Sequence, residues 1–138
     1  MSVGRLRPPY ADDVQHYKKL LARHARLELV EVREDEDVPR RLPRSAPGSG
    51  APAPFVSLLA RDGQAFDSVA FARWLEDRRQ SGRDLCFVIG GAAGLELEAA
   101  EHRLSFGPLT LPHQLAQVVL LEQLFRAHKI LSGEPYHL

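Results

Sequence analysis

Three glycines form the first group of residues that could serve chemistry. Gly90, Gly91 and Gly94 follow the apolar segment at 85–89. Glycine allows tight backbone turns and lets a ligand approach the main chain closely. Their spacing, G-G-x-x-G, differs from the dinucleotide fingerprint G-x-G-x-x-G, and no P-loop lysine follows it. The pattern therefore indicates either a ligand-binding loop or a plain turn between a strand and a helix.

A second group of reactive side chains lies near the C-terminus. His113 offers an imidazole that can accept or donate a proton, and Arg126 can stabilise negative charge. Tyr136 and His137 place a phenol and a second imidazole at the terminus. Each also has an ordinary explanation: a polar cap for His113, a solvated helix face for Arg126, and a frayed end for Tyr136 and His137.

The composition narrows the class of protein. The chain has 138 residues, with 18 Lys and Arg against 18 Asp and Glu, so its net charge is zero. One cysteine, Cys86, excludes an intramolecular disulfide and any multi-cysteine zinc site, and no metal is expected. No apolar run approaches the roughly 18 residues of a membrane span. We therefore expect a cytoplasmic protein of one domain, residues 1–138, with neither a membrane nor DNA as partner.

The first half of the chain predicts a helix, a strand and a long loop. Apolar residues at helical spacing predict a helix over 10–26, and LELVEV predicts a strand over 27–32. Residues 33–54 hold five of the ten prolines, which favours a solvated, mobile loop. The alternative is an arm that orders on RNA through Arg40, Arg41 and Arg44.

The second half shows a more regular alternation of elements. A turn is predicted at Asp62-Gly63, and Asp67 or Ser68 is the predicted N-cap of a helix. The predicted strands cover 55–60, 85–89 and 104–106, the predicted helices cover 67–80, 95–103 and 113–132, and a rigid loop covers 107–112.

Strands alternating with helices predict an α/β domain with a mostly parallel sheet and helices on both faces. Ligands of such sheets sit beyond the carboxyl ends of strands, where GGAAG (90–94) and GPLTLP (107–112) both lie. Apolar residues cover more than one side of the helix at 113–132, which favours burial against its own sheet and against a second subunit.

Four segments together resemble a known family. They are VIGGAAGL (88–95), LSFGPLTLPHQL (104–115), LLEQLFRAHKI (120–130) and GEPYH (133–137). In this order they resemble the RlmH family, the SPOUT-class methyltransferases of pseudouridine in 23S rRNA. The opening VGRLRPPYADDVQHYKKL resembles the first turn and first helix of that family.

The resemblance implies a C-terminal trefoil knot, a homodimer packed through the last helices, and S-adenosylmethionine as cofactor. It further implies methylation of N3 of a pseudouridine in 23S rRNA of the assembled ribosome. The substrate residues carried over by position, which would be catalytic, are His113, Arg126, Tyr136 and His137. The cofactor-binding residues carried over in the same way are Leu58, Gly90, Phe106, Gly107, Pro108, Leu109, Thr110 and Leu111.

The chain also departs from the family pattern. The family begins with a strand of about seven residues before its V-G pair, and here Val3-Gly4 stand almost at the start. Gln117 and Leu138 stand where the family usually has basic residues, which removes positive charge from the expected RNA face. These departures keep open a non-catalytic dimeric module that binds RNA or the ribosome. An unrelated α/β nucleotide-binding enzyme is disfavoured by the missing phosphate-binding motif.

Overall fold

The computed structural model describes residues 1–91 and 94–136. The strands in these ranges are β1 (Ser2–Val3), β2 (Glu31–Val32), β3 (Phe55–Ala65), β4 (Leu85–Val88) and β5 (His102–Ser105). The helices are α1 (Tyr10–Leu21), α2 (Val38–Arg41), α3 (Ser68–Gln80) and α4 (His113–Leu131). None of these helices is long and apolar enough to cross a membrane.

The strands form a parallel arrangement, as predicted. β3 lies between β4 and β5, and β1 pairs with β2, all in parallel. A parallel bridge between Ser2 and Ile89 joins the two groups, with a 3.0 Å hydrogen bond from the Val3 amide to the Ile89 carbonyl. The order across the molecule is therefore β5-β3-β4-β1-β2, which confirms the α/β class with a parallel sheet.

The two faces of the sheet are covered unequally. α4 packs against both α1 and α3, and these three helices share one core cluster with Ile89 and Leu104. The opposite face buries Val56, Leu58 and Val88 under α2 and the coil that contains Leu97. Alternate residues of β3 thus enter different cores, as the two-residue period of a strand requires.

The predicted helices at 67–80 and 113–132 are confirmed. The Asp67 side chain caps α3 by accepting a 2.7 Å hydrogen bond from the Ala70 amide. Gly82, at φ +74°, follows the end of α3 in the left-handed conformation that closes many helices. α1 is shorter than predicted, because it ends at Leu21, whose carbonyl accepts hydrogen bonds from the His24 and Ala25 amides.

Two predicted elements are wrong. The strand expected over 27–32 is reduced to Glu31–Val32, because β1 supplies only two residues for it to pair with. The helix expected over 95–103 does not form among the described residues. The Glu101 amide instead donates to the Val56 carbonyl at 3.0 Å, and β5 begins at the next residue. Pairing with β3 thus overrides the local helical preference.

The proline-rich segment is more structured than predicted. A 3₁₀ turn covers Asp35–Asp37 and leads directly into α2, where Val38 is completely buried. The prediction of a loop over 33–54 therefore holds only for the part after α2, which contains no further helix or strand.

β3 continues through the predicted turn at Asp62-Gly63. Leu104 of β5 pairs with both Leu59 and Gln64, so the residues between those two partners bulge out of the ladder. A side chain at Gly63 would place its Cβ 2.6 Å from the carbonyl carbon of Arg103. Glycine is therefore required for the close approach of the two backbones.

The chain crosses the end of the sheet before α4. Residues 106–112 lead from β5 at one edge to the start of α4, which lies beside the segment after β1. There the Arg7 amide donates to Gln114 Oε1 at 2.8 Å, and Gln114 Nε2 donates to the Arg5 carbonyl at 3.1 Å. A knotted chain requires such a crossing, and the trefoil knot itself stays a prediction.

Candidate functional site

A pocket of about 860 Å³ lies at the carboxyl ends of β3, β4 and β5. Its walls come from the bulge of β3, the glycine loop after β4, and the segment between β5 and α4. This is the position at which parallel α/β sheets bind ligands. Both loops singled out in the sequence therefore contribute to one cavity.

Most of the predicted cofactor-binding residues line this pocket. They are Gly90, Phe106, Gly107, Leu109, Thr110 and Leu111. Leu109 is 75% exposed, which leaves a large apolar side chain at the mouth of the cavity. Pro108 is exposed and is not among the lining residues.

Leu58 is placed differently from the other predicted cofactor-binding residues. Its side chain is completely buried in the core cluster on the opposite face of the sheet. The next residue, Leu59, lines the pocket instead. The reason is the alternation of side chains along β3, which directs neighbouring residues to opposite faces.

Gly90 leaves little space for any larger residue. A Cβ at this position would lie 2.7 Å from the Cβ of Leu95, so the glycine loop closes tightly over the end of β4. The Gly94 amide donates to the Gly91 carbonyl at 3.1 Å. The resulting wall presents main-chain groups to the cavity, which suits recognition of a polar ligand through its edges.

Charged side chains from three segments surround the pocket. Arg103 donates to Asp62 Oδ1 at 2.7 Å and to Glu96 Oε2 at 3.1 Å. The hydrogen bond from Arg103 holds the pKa of the Asp62 carboxyl below its usual value. Arg61 donates to Thr110 Oγ1 at 3.0 Å and so links the β3 bulge to the loop before α4. These contacts fix the relative positions of the pocket walls.

His113 is the only predicted catalytic residue that lines the pocket in the described part of the chain. It begins α4, directly after Pro112. Its ring lies against Gly4, where an added Cβ would be 2.9 Å from Nε2. Gly4 has a φ of +96°, so both space and backbone conformation favour glycine beside this imidazole.

Arg126 and Tyr136 meet at the other end of α4. Both interact with Glu122, whose Oε1 accepts from Arg126 Nε at 3.0 Å, from Arg126 Nη2 at 2.7 Å and from the Tyr136 hydroxyl at 3.4 Å. The guanidinium of Arg126 also lies 5.1 Å from the centre of the Tyr136 ring. Burial, followed by the nearby charge of Glu122, raises the pKa of Tyr136. The phenol therefore stays protonated near neutral pH.

Glu122 is itself held by a chain of hydrogen bonds from α3. The Ser68 hydroxyl donates to Gln123 Oε1 at 2.7 Å, and Gln123 Nε2 donates to Glu122 Oε2 at 2.7 Å. Both carboxylate oxygens of Glu122 are thus engaged. Sequence analysis missed Glu122 and Gln123 as functional candidates, although both lie in the LLEQLFRAHKI segment that carries the resemblance.

The predicted catalytic residues therefore form two groups within one protomer. His113 and Arg126 are separated by thirteen positions of α4, about 20 Å at 1.5 Å per residue. His137 lies outside the described residues, as does Leu138.

The expectation for Gln117 is wrong. Its side chain lies on the buried side of α4 and is only 8% exposed, so it does not belong to an exposed RNA face. Glutamine in place of the basic residue that the family usually has here therefore does not argue against activity, as a loss of surface charge would.

A Ser–His pair elsewhere has the geometry of a nucleophile and its base. Ser57 Oγ lies 2.8 Å from His102 Nδ1, and His102 Nε2 lies 3.0 Å from Gln64 Oε1. Ser57, however, is completely buried, so no substrate can reach its hydroxyl. Burial lowers the pKa of His102, which packs against Trp74 at 4.7 Å between ring centres. The pair joins β3 to β5 and serves the fold.

Comparison with known proteins finds similarity over nearly the whole chain. A family model described as a predicted SPOUT methyltransferase matches residues 1–137. Proteins named ribosomal RNA large subunit methyltransferase H are similar over nearly the whole chain. The protein from Gemmatimonas aurantiaca is 42% identical, covering 92% of this chain and 89% of its own. The protein from Carboxydothermus hydrogenoformans is 38% identical, covering 99% and 96%.

A third relative of the same name, from Gluconacetobacter diazotrophicus, is 42% identical and covers 99% of this chain and 94% of its own. Each of the three similarities covers at least 92% of this chain. The chain belongs to the SPOUT methyltransferase family, in the group that contains the ribosomal RNA large subunit methyltransferase H proteins.

Proposed function

We propose that this protein transfers a methyl group from S-adenosylmethionine to N3 of a pseudouridine in 23S rRNA of the large ribosomal subunit. The observation that carries the proposal is the pocket formed jointly by the glycine loop and the GPLTLP loop, in a chain that matches the family over residues 1–137. An assembled ribosome is the proposed substrate, and the cytoplasm is accordingly the proposed site of action.

The pocket fits the cofactor. Its volume lies within the roughly 300–1,000 Å³ of small-molecule sites. Gly90 and Gly107 offer main-chain groups, while Leu109 and Leu111 offer apolar surface for an aromatic ring. Bound S-adenosylmethionine would supply an electrophilic methyl group on its sulfonium. Arg61 and Thr110 would hold the loop before α4 in place around it, because their side chains are hydrogen-bonded to each other.

The proposed tasks of the protein side chains are to orient the uracil ring and to accept the proton that its N3 atom loses. The N3 position of pseudouridine is a neutral imide that must lose its proton to become a good nucleophile. His113 borders the pocket and could accept that proton directly or through water. Arg126 could offset the negative charge that develops on the ring. Tyr136 and His137 would complete the enclosure of the base.

Joining these tasks in one site requires a second copy of the chain. His113 and Arg126 lie about 20 Å apart on α4, too far to act on one base. A stripe of partly exposed residues follows helical spacing along one side of α4: Leu115, Val119, Glu122 and Arg126. Two such helices paired antiparallel about a two-fold axis near Val119 would bring the His113 end of one beside the Arg126 end of the other. We therefore propose a homodimer with two composite sites.

Calorimetric titration tests the cofactor assignment. We expect S-adenosylhomocysteine, the demethylated product, to bind metal-free protein at the pocket. Gly90→Val should abolish the binding, because even a Cβ at this position would lie 2.7 Å from that of Leu95. The cofactor assignment fails if the wild type binds nothing, or if Gly90→Val binds as well as the wild type.

A further inference from the structure

The glycine loop of the pocket is tethered by an acidic residue from the proline-rich segment. The Gly91 amide donates to Asp35 Oδ1 at 2.9 Å, across 56 positions of the sequence. A Cβ at Gly91 would lie 3.3 Å from the same oxygen and 3.5 Å from Val3. The Asp35 carboxylate thus lies directly behind a residue that lines the pocket.

The segment that contains Asp35 is itself held in place by apolar packing. Asp35 opens the 3₁₀ turn that runs into α2, and Val38 of α2 is completely buried in the core cluster on the opposite face from α4. Leu42 packs against the same cluster. The turn is therefore anchored to the sheet by apolar packing, and Asp35 is the point at which this anchor reaches the glycine loop.

The three glycines of the loop do little by themselves to restrict its backbone. Glycine has more backbone freedom than any other residue type. Ordering Gly90, Gly91 and Gly94 is therefore costly in conformational entropy. A hydrogen bond to a carboxylate is stronger than one between neutral groups. One such bond to the amide of Gly91 restricts the loop where it borders the cavity.

We propose that Asp35 is a positioning residue of the cofactor pocket, whose carboxylate holds the Gly91 amide and thereby keeps the glycine loop in the shape that receives S-adenosylmethionine. This inference rests on the proposed function and adds to it a residue from the proline-rich segment, whose composition favours a loop. Asp35 acts through Gly91 and is not itself among the residues that line the pocket.

The test compares Asp35→Ala with Asp35→Asn and with Glu36→Ala. Asparagine keeps an oxygen that can accept the Gly91 hydrogen bond. Glu36→Ala removes the same charge from an exposed neighbour in the same turn. Asp35→Leu, which has a similar size and no acceptor, serves as a second loss variant if the alanine variant folds poorly.

The first measurement is hydrogen exchange of the Gly91 amide in the ligand-free protein by NMR. We expect faster exchange in Asp35→Ala than in the wild type and an unchanged rate in Glu36→Ala. The second measurement is titration with S-adenosylhomocysteine. We expect Asp35→Ala to weaken binding about tenfold, the effect of losing one charge-assisted hydrogen bond. Asp35→Asn should lie closer to the wild type.

Kinetics separate a positioning role from a general loss of stability. With saturating S-adenosylmethionine, Asp35→Ala should reach the wild-type kcat while its KM for the cofactor rises. Unchanged Gly91 exchange together with wild-type affinity in Asp35→Ala would overturn the inference, as would an equal loss of affinity in Glu36→Ala. A wild-type protein that binds no S-adenosylhomocysteine would instead refute the proposed function, and the two failures are therefore distinguishable.

Discussion

Glu122 connects the two side chains that we assign to the substrate. Its Oε1 accepts hydrogen bonds from Arg126 and Tyr136, and its Oε2 is held by Gln123. The side chains of Glu122 and Arg126 are 18% and 23% exposed, so the ion pair is partly shielded from water. A partly buried charge-assisted pair of this kind is more strongly oriented than a surface pair.

We predict that Glu122→Gln lowers the rate of methyl transfer about tenfold while cofactor affinity stays unchanged. The amide keeps the size of the side chain but loses the charge that orients the Arg126 guanidinium, and a factor of ten corresponds to about 1.4 kcal/mol in the barrier. Single-turnover kinetics with saturating cofactor measure the rate. Glu134→Gln is the matched control, since Glu134 pairs with Lys129 near the same end of α4. A Glu122→Gln rate equal to that of the Glu134→Gln control contradicts the assignment.

Among the helices, α4 connects the protein core to the end of the molecule where Arg126 and Tyr136 lie. Its His128 side chain is 7% exposed and stacks on His24, which follows α1, at 5.3 Å between ring centres. Burial, with smaller contributions from Arg79 and His24, lowers the pKa of His128 to about 4. The imidazole is therefore neutral in the folded protein at pH values where the unfolded chain already binds a proton.

This difference predicts a loss of stability between about pH 6.5 and pH 4. In that range the unfolded state binds more protons, so acidification favours unfolding, by up to about 1.4 kcal/mol for each pH unit. Urea unfolding at pH 7.5 and pH 5.0, at one protein concentration, measures the effect. His128→Phe keeps an aromatic ring for stacking and should lose less stability between these pH values. Equal losses in the two proteins would show that His128 is not responsible.

The elements differ in how well their sequences predict them. α3 and α4 carry strong local signals, namely an N-cap at Asp67 and a proline before His113, and the structure confirms both helices. The segment at 95–103 also has helical composition, yet it forms no helix among the described residues, and its last two residues begin β5, which pairs with β3. Pairing between distant strands produces no local pattern in the sequence. For the same reason, the extension of β3 past Asp62-Gly63 could not be predicted from the sequence.

The site was predictable to the extent that its residues lie in continuous motifs. The glycine loop and the loop before α4 are each visible as short strings, and both line the pocket. The position of Leu58 depends on the phase of β3, and a one-residue difference moves a side chain to the other face. The contact between Asp35 and Gly91 joins segments that no local pattern relates.

At the scale of the whole molecule, the proposed dimer resolves the separation of His113 from Arg126. We predict that light scattering at micromolar concentration gives about twice the chain mass of 15.4 kDa. Val119→Lys should shift the protein toward monomer, because a residue beside a two-fold axis meets its own copy and like charges repel. Ala22→Lys, at an exposed position after α1, is the matched control. A wild-type monomer, or an active monomeric variant, would argue against composite sites.

The zero net charge of the chain also affects which form of the rRNA we expect to be the better substrate. A chain with 18 basic and 18 acidic residues has little long-range attraction for bare RNA, so its binding must depend on a few arginines and on the shape of the ribosome. Free 23S rRNA should therefore be a poor substrate compared with the assembled particle. Arg126→Ala should lower the rate on ribosomes without weakening cofactor binding, since we assign Arg126 to the uracil ring and it is not among the residues that line the pocket.

The most direct test of the account is methyl transfer from labelled S-adenosylmethionine to ribosomes from cells that lack the gene, followed by mass spectrometry of 23S rRNA fragments. We predict one methyl group per ribosome, located on N3 of a pseudouridine, with little transfer to free rRNA and a reduced rate for Arg126→Ala. Absence of transfer to either substrate, by a protein that still binds S-adenosylhomocysteine, would contradict the account and favour a non-catalytic module that binds RNA or the ribosome.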